Sequence, residues 1–212
     1  MNWRLASRLS VVTLAALVVI LVVLVQQNRG GATGTQPASN STTPAANALQ
    51  GTDLGGTTAP DFRLTDQFGQ PVALSQFKGK PVVLTFLYTH CPDQCPLTAE
   101  KLHSTVQELG KDAQNVGIIA VSTDPQRDTT VAAMDFSRAH SMQNSWHYLV
   151  GSRSALQPIW NDYHIYAQPQ QQTVNHSLGL FLIDRQGHER IFLGNDFTPT
   201  QLTHDLQILL RE

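Results

Sequence analysis

The body of the chain alternates short apolar runs with segments whose apolar residues recur every three or four positions. Residues 81–87 and 116–121 are apolar on both faces, which predicts buried central strands. In residues 102–109 apolar side chains recur at spacings of four and three, which predicts an amphipathic helix ending near Gly110. Further elements are predicted as hairpin strands at 61–64 and 72–74, a helix at 128–140 with Val131 and Met134 facing inward, a short strand at 146–150, a helix at 154–165, a buried strand at 178–183 that turns back into 188–193, and a last helix capped by Thr198.

The order of these elements, strand–helix–strand followed by a β-hairpin and a helix, predicts an α/β fold with a mixed sheet. It fits a thioredoxin-like fold with an N-terminal β-hairpin extension and an insertion between its two halves. Ligands of α/β sheets bind in the crevice beyond the strand ends. We therefore expect functional residues where the strand at 81–87 ends.

The N-terminus is apolar enough to be a membrane anchor. Residues 9–25 hold no charged side chain, and a helix of about 20 residues spans a hydrocarbon core of about 30 Å. A cleaved signal peptide is the alternative, but its apolar region is usually shorter, about 7–15 residues, and ends at small residues. We predict a cytoplasmic leader at residues 1–8, one transmembrane helix at 9–28, a flexible linker at 29–56 and the thioredoxin-like domain at 57–212.

The charges that flank this apolar run favour one orientation. Arg4, Arg8 and the free amino group precede the run, whereas Arg29 is followed by no Lys or Arg before Arg63. The positive-inside rule therefore places the N-terminus in the cytoplasm and the body outside, where cysteines meet an oxidising compartment. We expect a single-pass protein of the bacterial inner membrane whose C-terminal domain lies in the periplasm.

Composition narrows the function further. The chain has 212 residues, of which 14% are charged, and its formal net charge is −2. Nucleic-acid binding depends on a basic face that releases counterions, so we expect no nucleic-acid partner. Two cysteines are too few for a disulfide scaffold, and the body is long enough to fold around a hydrophobic core without one. Two cysteines so close together indicate redox or metal chemistry instead.

Cys91 and Cys95 lie between a predicted buried strand and a predicted helix. At a spacing of four, two residues of a helical or turn-like segment share one face, so both sulfurs can point into one cavity. The pair can cycle between dithiol and disulfide, or two soft thiolates can hold a soft metal such as Cu(I). Thioredoxin-type redox enzymes have two residues between their cysteines and this chain has three, which favours metal binding. Two buried and inert cysteines are the remaining interpretation.

A metal held by two thiolates needs a further ligand, and His176 is the candidate. It lies just before the third buried strand, which neighbours the cysteine-bearing strand in a thioredoxin-like sheet. Cys91, Cys95 and His176 form a set of two sulfurs and one nitrogen that suits copper. Zinc is the rival metal. A closed zinc site has four ligands, and we find only His90, whose side chain should point elsewhere, as the fourth.

These motifs resemble the Sco/SenC family of copper chaperones for cytochrome c oxidase. The matching segments are Cys91–Pro96 (CPDQCP), Val121–Thr129 (VSTDPQRDT) and His176-Ser177 before a strand. The segments Pro60–Phe62 and Lys78–Pro81 also fit, although peroxiredoxins share them. The resemblance covers residues 57–212.

The resemblance implies a membrane-anchored metallochaperone, a binding protein and not an enzyme in the turnover sense. It would hold one copper ion, Cu(I) or Cu(II), through Cys91, Cys95 and His176. Its partners would be cytochrome c oxidase subunit II, or another copper-site apoprotein, and a thiol reductant. It would deliver copper to the CuA centre or reduce the cysteines of that centre.

Two further residues enter through the same resemblance. Asp124 matches an acidic position near the family's site and is a candidate to support the ligands, with a turn or helix-capping role as the alternative. The family usually has Asp before the ligand histidine, and this chain has Asn175. A neutral amide gives the imidazole less electrostatic support, so we expect weaker Cu(II) binding.

Two other functions fit part of the same pattern. A periplasmic thiol–disulfide oxidoreductase would use Cys91 and Cys95 as its redox pair, with a disulfide between them and no metal transfer. A peroxiredoxin-like peroxidase needs a threonine three residues before its reactive cysteine, but Tyr88 and Pro92 occupy those positions.

Overall fold

A computed structural model of the chain describes residues 19–21, 23–25, 48–169, 174–176 and 179–212, with the backbone alone for 169 and 174–176. The chain divides into two units, Met1–Thr43 and Pro44–Glu212. In the first unit the six described residues are helical and exposed. Across the described ranges, no helix combines the length and apolar character that crossing a membrane requires. Most of the predicted transmembrane helix at 9–28 and most of the predicted linker at 29–56 lie outside the described residues, and the proposed domain boundaries stay predictions.

The second unit is built on a mixed β-sheet. Its described strands are β1 (Thr52–Thr58), β2 (Arg63–Thr65), β3 (Pro71–Ala73), β4 (Val82–Leu87), β5 (Gly117–Ser122), β6 (His147–Leu149), β7 (Ala167–Pro169), β8 (Val174–His176), β9 (Leu180–Ile183) and β10 (His188–Leu193). Six of them form one sheet in the order β1-β10-β9-β4-β5-β6. β4, β5 and β6 run parallel, and β9, β10 and β1 continue the sheet antiparallel. β2–β3 and β7–β8 are separate hairpins.

Four α-helices connect and cover these strands in the described part of this unit. They are α1 (Gln94–Leu109), α2 (Thr130–Ala139), α3 (Arg153–Asp162) and α4 (Pro199–Arg211), with short 3-10 helices at Leu74–Phe77 and Gly110–Asn115. The hydroxyl oxygens of Thr129, Ser152 and Thr198 accept backbone N–H bonds at the starts of α2, α3 and α4, as expected of N-cap residues.

The core lies on both faces of the sheet because side chains alternate along each central strand. Val83 and Leu87 of β4 pack with apolar residues of α1, α2 and α4, such as Leu102. Leu84 and Phe86 of the same strand pack with α3 and the β2–β3 hairpin. Every residue of β4 and β5 is buried, as their continuous apolar runs predict.

The structure differs from the sequence pattern in the helix predicted at 128–140. Val131 is 68% exposed, and Ala133, Phe136 and Ser137 are the buried residues of α2. The helix begins after Thr129, whose hydroxyl accepts from the Ala132 amide at 3.1 Å. The expectation that Val131 faces inward is therefore wrong: it lies in the exposed first turn, and its apolar side chain contributes no core contact.

The first strand, β1, is one that the sequence pattern does not predict. Its residues, Thr52–Thr58, pair antiparallel with β10. Its side chains are nearly all exposed, so the strand carries no alternating apolar signal. Gly55 and Gly56 adopt positive φ angles of 75° and 69° where the register shifts, a conformation that suits glycine. Backbone pairing on the edge of β10 orders this segment.

The topology brings three segments to one rim of the sheet. β4 ends at Leu87 and leads into the cysteine loop, and Leu87 pairs with Ser122 at the end of β5. Because β9 is antiparallel to β4, its first residue, Leu180, pairs with Thr85 near the end of β4. The Thr85 hydroxyl also donates to the Gly179 carbonyl at 2.9 Å. The segment that enters β9 therefore lies at the rim where the cysteine loop begins.

Candidate functional site

The cysteine loop joins the end of β4 to the start of α1 and holds two free thiols. Cys91 is partly exposed and Cys95, in the first turn of α1, is buried. The Cys95 amide donates to the Cys91 Sγ at 3.4 Å. The Asp93 side chain, at the N-cap position, makes no capping hydrogen bond. The Cys91 sulfur therefore takes one of the free amides that a helix start presents, and anions are stabilised at that place.

The two thiols have strongly different proton affinities. A hydrogen bond from the Cys95 side chain lowers the pKa of Cys91 to about 5, with smaller contributions from the Asp93 and Cys95 amides and the Tyr88 side chain, against an opposing effect of burial. The same hydrogen bond and burial raise the pKa of Cys95 well above its usual range. At neutral pH the pair therefore carries one thiolate, on the partly exposed Cys91, held by the protonated thiol of the buried Cys95.

The first turns of α1 are fixed to the loop between β10 and α4. The Thr98 hydroxyl lies 2.9 Å from Asn195 Oδ1, and Asn195 Nδ2 donates to the Gln94 side chain. Lys101 Nζ donates to the Asn195 carbonyl at 2.7 Å and lies over the Phe197 ring. These contacts hold the helix that carries Cys95 in one position relative to the sheet.

His176 lies on β8, with its backbone opposite Ala167 of β7. Three residues later Gly179 is bonded to Thr85, so the backbone places β8 next to the rim from which the cysteine loop starts. The side chains of Asn175 and His176 lie outside the described part of the structure. Their roles at a metal site stay predictions.

Asp124 is buried, and its contacts are local. One carboxylate oxygen accepts from the Gln126 amide at 3.3 Å, and the other pairs with the Arg127 side chain. Thr129, not Asp124, caps α2. These contacts are those of a turn aspartate, and its expected support of the ligands stays a prediction.

His90 lies in the loop beside Cys91, and its ring makes a hydrogen bond to Thr89. Its Nδ1 is 2.9 Å from the Thr89 hydroxyl oxygen, and the residue is exposed. This bond connects His90 to Thr89, which is itself bonded to Asp128.

Two residues near the site were not predicted as functional from the sequence. Tyr88 directly follows β4 and makes a hydrogen bond to the Cys91 sulfur. Asp128 is 5% exposed and accepts from both the amide and the hydroxyl of Thr89. Asp128 is part of the VSTDPQRDT motif, and a second acidic residue in that motif was the available signal.

The donor set suits a soft metal ion, because two sulfurs lie within hydrogen-bonding reach of each other and one is already a thiolate. Among the side chains that the structure describes, no three His, Cys, Asp or Glu residues are placed to hold a metal ion together. The side chain of His176 does not belong to that described set.

The chain matches a known protein family over most of its length. Residues 50–211 match the SCO1/SenC family. The mouse mitochondrial SCO2 homologue is 30% identical over 158 residues, which are 69% of this chain and 60% of that protein. The zebrafish mitochondrial SCO2 homologue is 33% identical over 135 residues, and 48% of its length is covered. The chain thus spans about half to 60% of these curated relatives.

Solved structures show the same fold. The structure of Bradyrhizobium japonicum ScoI with copper bound has a TM-score of 0.66 and 31% identity, covering 73% of this chain and 100% of that one. The solution structure of apo Sco1 from Thermus thermophilus has a TM-score of 0.68 and 32% identity, covering 77% and 98%. The predicted thioredoxin-like α/β fold is confirmed, and homologous structures contain copper. The chain belongs to the SCO1/SenC family.

Proposed function

We propose that this chain is a copper-binding chaperone of cytochrome c oxidase assembly and that it holds copper through Cys91, Cys95 and His176. The observation that carries the proposal is the hydrogen-bonded pair of sulfurs at the start of α1, one of them a thiolate. Family membership and the copper bound to Bradyrhizobium japonicum ScoI support it. Copper is here the cargo of the protein.

The proposed sulfur and nitrogen ligands favour different oxidation states of copper. Soft thiolates favour Cu(I), and an added imidazole suits Cu(II). Asn175 precedes the proposed ligand where the family usually has Asp. A neutral neighbour gives the imidazole less electrostatic support, so replacing Asn175 by Asp should strengthen Cu(II) binding.

The test is metal binding by the reduced full-length protein, purified in detergent. Under anaerobic conditions the wild type should bind one Cu(I) per chain, and Cys91→Ser or Cys95→Ser should abolish this stoichiometric binding. With Cu(II), the wild type should show a thiolate-to-copper charge-transfer band that His176→Ala shifts and weakens. His176→Ala should lower the Cu(II) affinity by about 10-fold or more. Removing a residue that only hydrogen-bonds to a metal ligand already lowers affinity by about 10- to 100-fold, and removing the ligand itself should cost at least as much.

His188→Ala is the matched control, because His188 lies at the turn between β9 and β10, beside Asp184. It should leave the Cu(II) band and affinity unchanged. A His176→Ala protein with the wild-type band and affinity would remove His176 from the ligand set. Failure of the reduced wild type to bind Cu(I) would end the chaperone proposal.

The proposed acceptor is the CuA centre of oxidase subunit II. Cu(I)-loaded protein should transfer its copper to the reduced soluble domain of that subunit, followed by the CuA absorption after oxidation. If copper passes equally fast from free Cu(I) in a weak chelator, the protein adds nothing to the transfer and the acceptor assignment is wrong.

A second candidate, reduction of a partner disulfide, is favoured by the pairing of a thiolate with a protonated thiol. The Cys91 thiolate attacks one partner sulfur, forms a mixed disulfide and releases a partner thiolate. Cys95 then loses its proton and attacks the Cys91 sulfur, which releases the second partner thiolate and forms the Cys91–Cys95 disulfide. Two electrons pass to the partner, and an external thiol reductant must restore the dithiol.

Metal-free protein tests this second function. Cys95→Ser should trap the mixed disulfide with an oxidised subunit II domain, whereas His176→Ala should reduce that domain at the wild-type rate. No mixed disulfide from Cys95→Ser, together with no reduction by the wild type, would exclude the reductase function and leave copper binding as a separate question.

We further propose that residues 9–28 anchor the domain in the bacterial inner membrane, with residues 57–212 in the periplasm. The apolar run and the preceding Arg4 and Arg8 support this. The full chain should stay in the membrane fraction after an alkaline carbonate wash, and the domain should be cleaved by protease added to spheroplasts. Release of the protein by carbonate would contradict the anchor.

A further inference from the structure

The carboxylate of Asp128 is buried beneath the cysteine loop and accepts four hydrogen bonds. Oδ1 accepts from the Thr89 amide at 3.0 Å and from the Thr89 hydroxyl at 2.7 Å. Oδ2 accepts from the Ser122 hydroxyl at 2.6 Å and from the Tyr148 hydroxyl at 3.2 Å. The residue is 5% exposed. The donors come from the loop after β4, the end of β5 and the middle of β6, so one side chain ties three segments together.

Two of these four bonds fix the backbone and side chain of Thr89, two residues before Cys91. Among the described residues, the other backbone bond of the loop is local: the Cys91 amide donates to the Tyr88 carbonyl at 3.3 Å. The neighbouring backbone bond, from the Thr123 amide to the Leu87 carbonyl at 2.8 Å, ends before the loop begins. Asp128 therefore extends the contact between β4 and β5 into the segment that carries the thiolate.

Through Thr89, the same carboxylate determines which ring nitrogen of a neutral His90 carries the hydrogen. Thr89 has one hydroxyl hydrogen and donates it to Asp128, so its oxygen meets His90 Nδ1, 2.9 Å away, as an acceptor. A neutral His90 then carries its proton on Nδ1 and leaves Nε2 unprotonated. A hydrogen bond to one ring nitrogen commonly fixes the tautomer of a histidine in this way.

We propose that Asp128 is a positioning residue of the copper and thiol site: through Thr89 it holds the cysteine loop in place and fixes the tautomer of His90 beside Cys91. The part of the inference that concerns copper rests on the proposed function. The part that concerns loop geometry and the His90 tautomer is a property of the metal-free protein and is tested separately.

Asp128→Asn tests the inference with little change in volume. One of the two oxygens becomes an NH₂ group, which cannot accept, so two of the four donors lose their acceptor. Where the NH₂ group faces Thr89, the Thr89 hydroxyl loses its acceptor and can donate to His90 Nδ1, so the His90 ring nitrogen signals in NMR spectra of the metal-free protein should move toward the Nε2-protonated form. We also expect a shifted Cu(II) charge-transfer band and a Cu(II) affinity that is about 10- to 100-fold lower, the usual effect of removing an outer partner of a metal site.

Asp184→Asn is the matched control. Asp184 is also buried, at 6%, and accepts from the Gln186 amide at 2.9 Å and the His188 amide at 2.8 Å. It lies at the turn after β9, at the opposite end of the sheet from the cysteine loop. It should leave the His90 tautomer and the copper band at their wild-type values.

Thr89→Val keeps the test decisive if Asp128→Asn does not fold. Valine has the shape of threonine without the hydroxyl, so it removes the link between Asp128 and His90 and leaves the Thr89 amide bond in place. The His90 tautomer should change in this variant as well. A wild-type His90 tautomer in folded Thr89→Val, or an unchanged tautomer and copper band in folded Asp128→Asn, would overturn the inference. If the wild type binds no copper, the chaperone proposal fails while the tautomer measurement still decides this one.

Discussion

Replacing Cys95 by alanine removes the group that contributes most to the low pKa of Cys91. The Cys95 side chain donates a hydrogen bond to the Cys91 sulfur, and this bond outweighs the burial that would raise the pKa. Cys95→Ala keeps the backbone amides that also bond to the sulfur. We therefore expect the pKa of Cys91 to rise from about 5 toward the ordinary value of 9.0.

The size of the effect depends on what is measured. With a pKa of about 5 the ratio of thiolate to thiol at pH 7 is about 100 to 1, and with 9.0 it is about 1 to 100. A less basic thiolate is also a weaker nucleophile, and over four pKa units this lowers its intrinsic reactivity by about 40- to 100-fold. The two effects nearly cancel in a single rate at pH 7. The midpoint of the pH profile is therefore the informative quantity.

The assay is the rate of alkylation of Cys91 by iodoacetamide between pH 4 and 10, in fully reduced and metal-free protein. Peptide mass spectrometry separates Cys91 from Cys95, which is buried in the wild type. The wild-type profile should reach half its plateau near pH 5. Cys95→Ala should move the midpoint upward, and Cys95→Ser, which keeps a hydroxyl donor, should fall between the two.

A Cys95→Ala protein that is folded by circular dichroism and keeps a midpoint near pH 5 would refute the reasoning. The low pKa would then come from the amides of the helix start and the Tyr88 side chain. A wild-type midpoint near 9 would refute the thiolate itself, and with it the division of roles between the two cysteines.

Three further changes test the packing that supports the site. Gly179→Ala should lower the free energy of urea unfolding by about 3–5 kcal/mol, because φ is +144° and the added Cβ would lie 2.6 Å from a backbone carbonyl of β10. Gly187→Ala, where φ is +90° but the space is open, should lower it by only about 1–2 kcal/mol. Equal losses of unfolding free energy in the two variants would show that the close contact is unimportant. Leu102→Ala, in the buried face of α1, should cost about 2–5 kcal/mol, and Leu97→Ala, 46% exposed, less than about 0.5 kcal/mol, measured the same way. Burial raises the pKa of Asp205, so the stability that its protonated form contributes is complete below the ordinary pKa of 3.8 and is lost as pH rises through the pKa of the folded protein. Asp205→Asn, which stays neutral, should therefore raise Tm near neutral pH by an amount that vanishes toward pH 4. A difference in Tm that does not depend on pH would contradict this.

The central strands and the last helix could be predicted because burial leaves a direct pattern in the sequence. β4 and β5 are buried on both faces and consist of continuous apolar runs. Thr198 and Pro199 mark the start of α4 through a side-chain cap and a fixed backbone angle. β1 could not be predicted in the same way, since it is an exposed edge strand whose order comes from backbone pairing with β10.

That Cys91 and Cys95 lie close together could be predicted from their spacing alone, whereas the difference between the two thiols could not. It depends on which sulfur meets the helix amides and which is covered by the core, and both follow from where α1 starts. Boundaries of this kind are the least certain part of any reading of sequence patterns.

The roles of Asp124 and Asp128 show where local sequence stops being informative. The two residues lie four positions apart in one motif, both are buried, and nothing in their spacing distinguishes them. Their partners do: Asp124 bonds within its own turn, whereas Asp128 bonds to Thr89, 39 positions earlier in the chain. That contact exists because β4 and β5 pair in parallel and their ends, Leu87 and Ser122, lie side by side. The contact of Asp128, which lies in the loop after β5, with the cysteine loop is thus specified by sheet register, and it can be recognised only when the register is known.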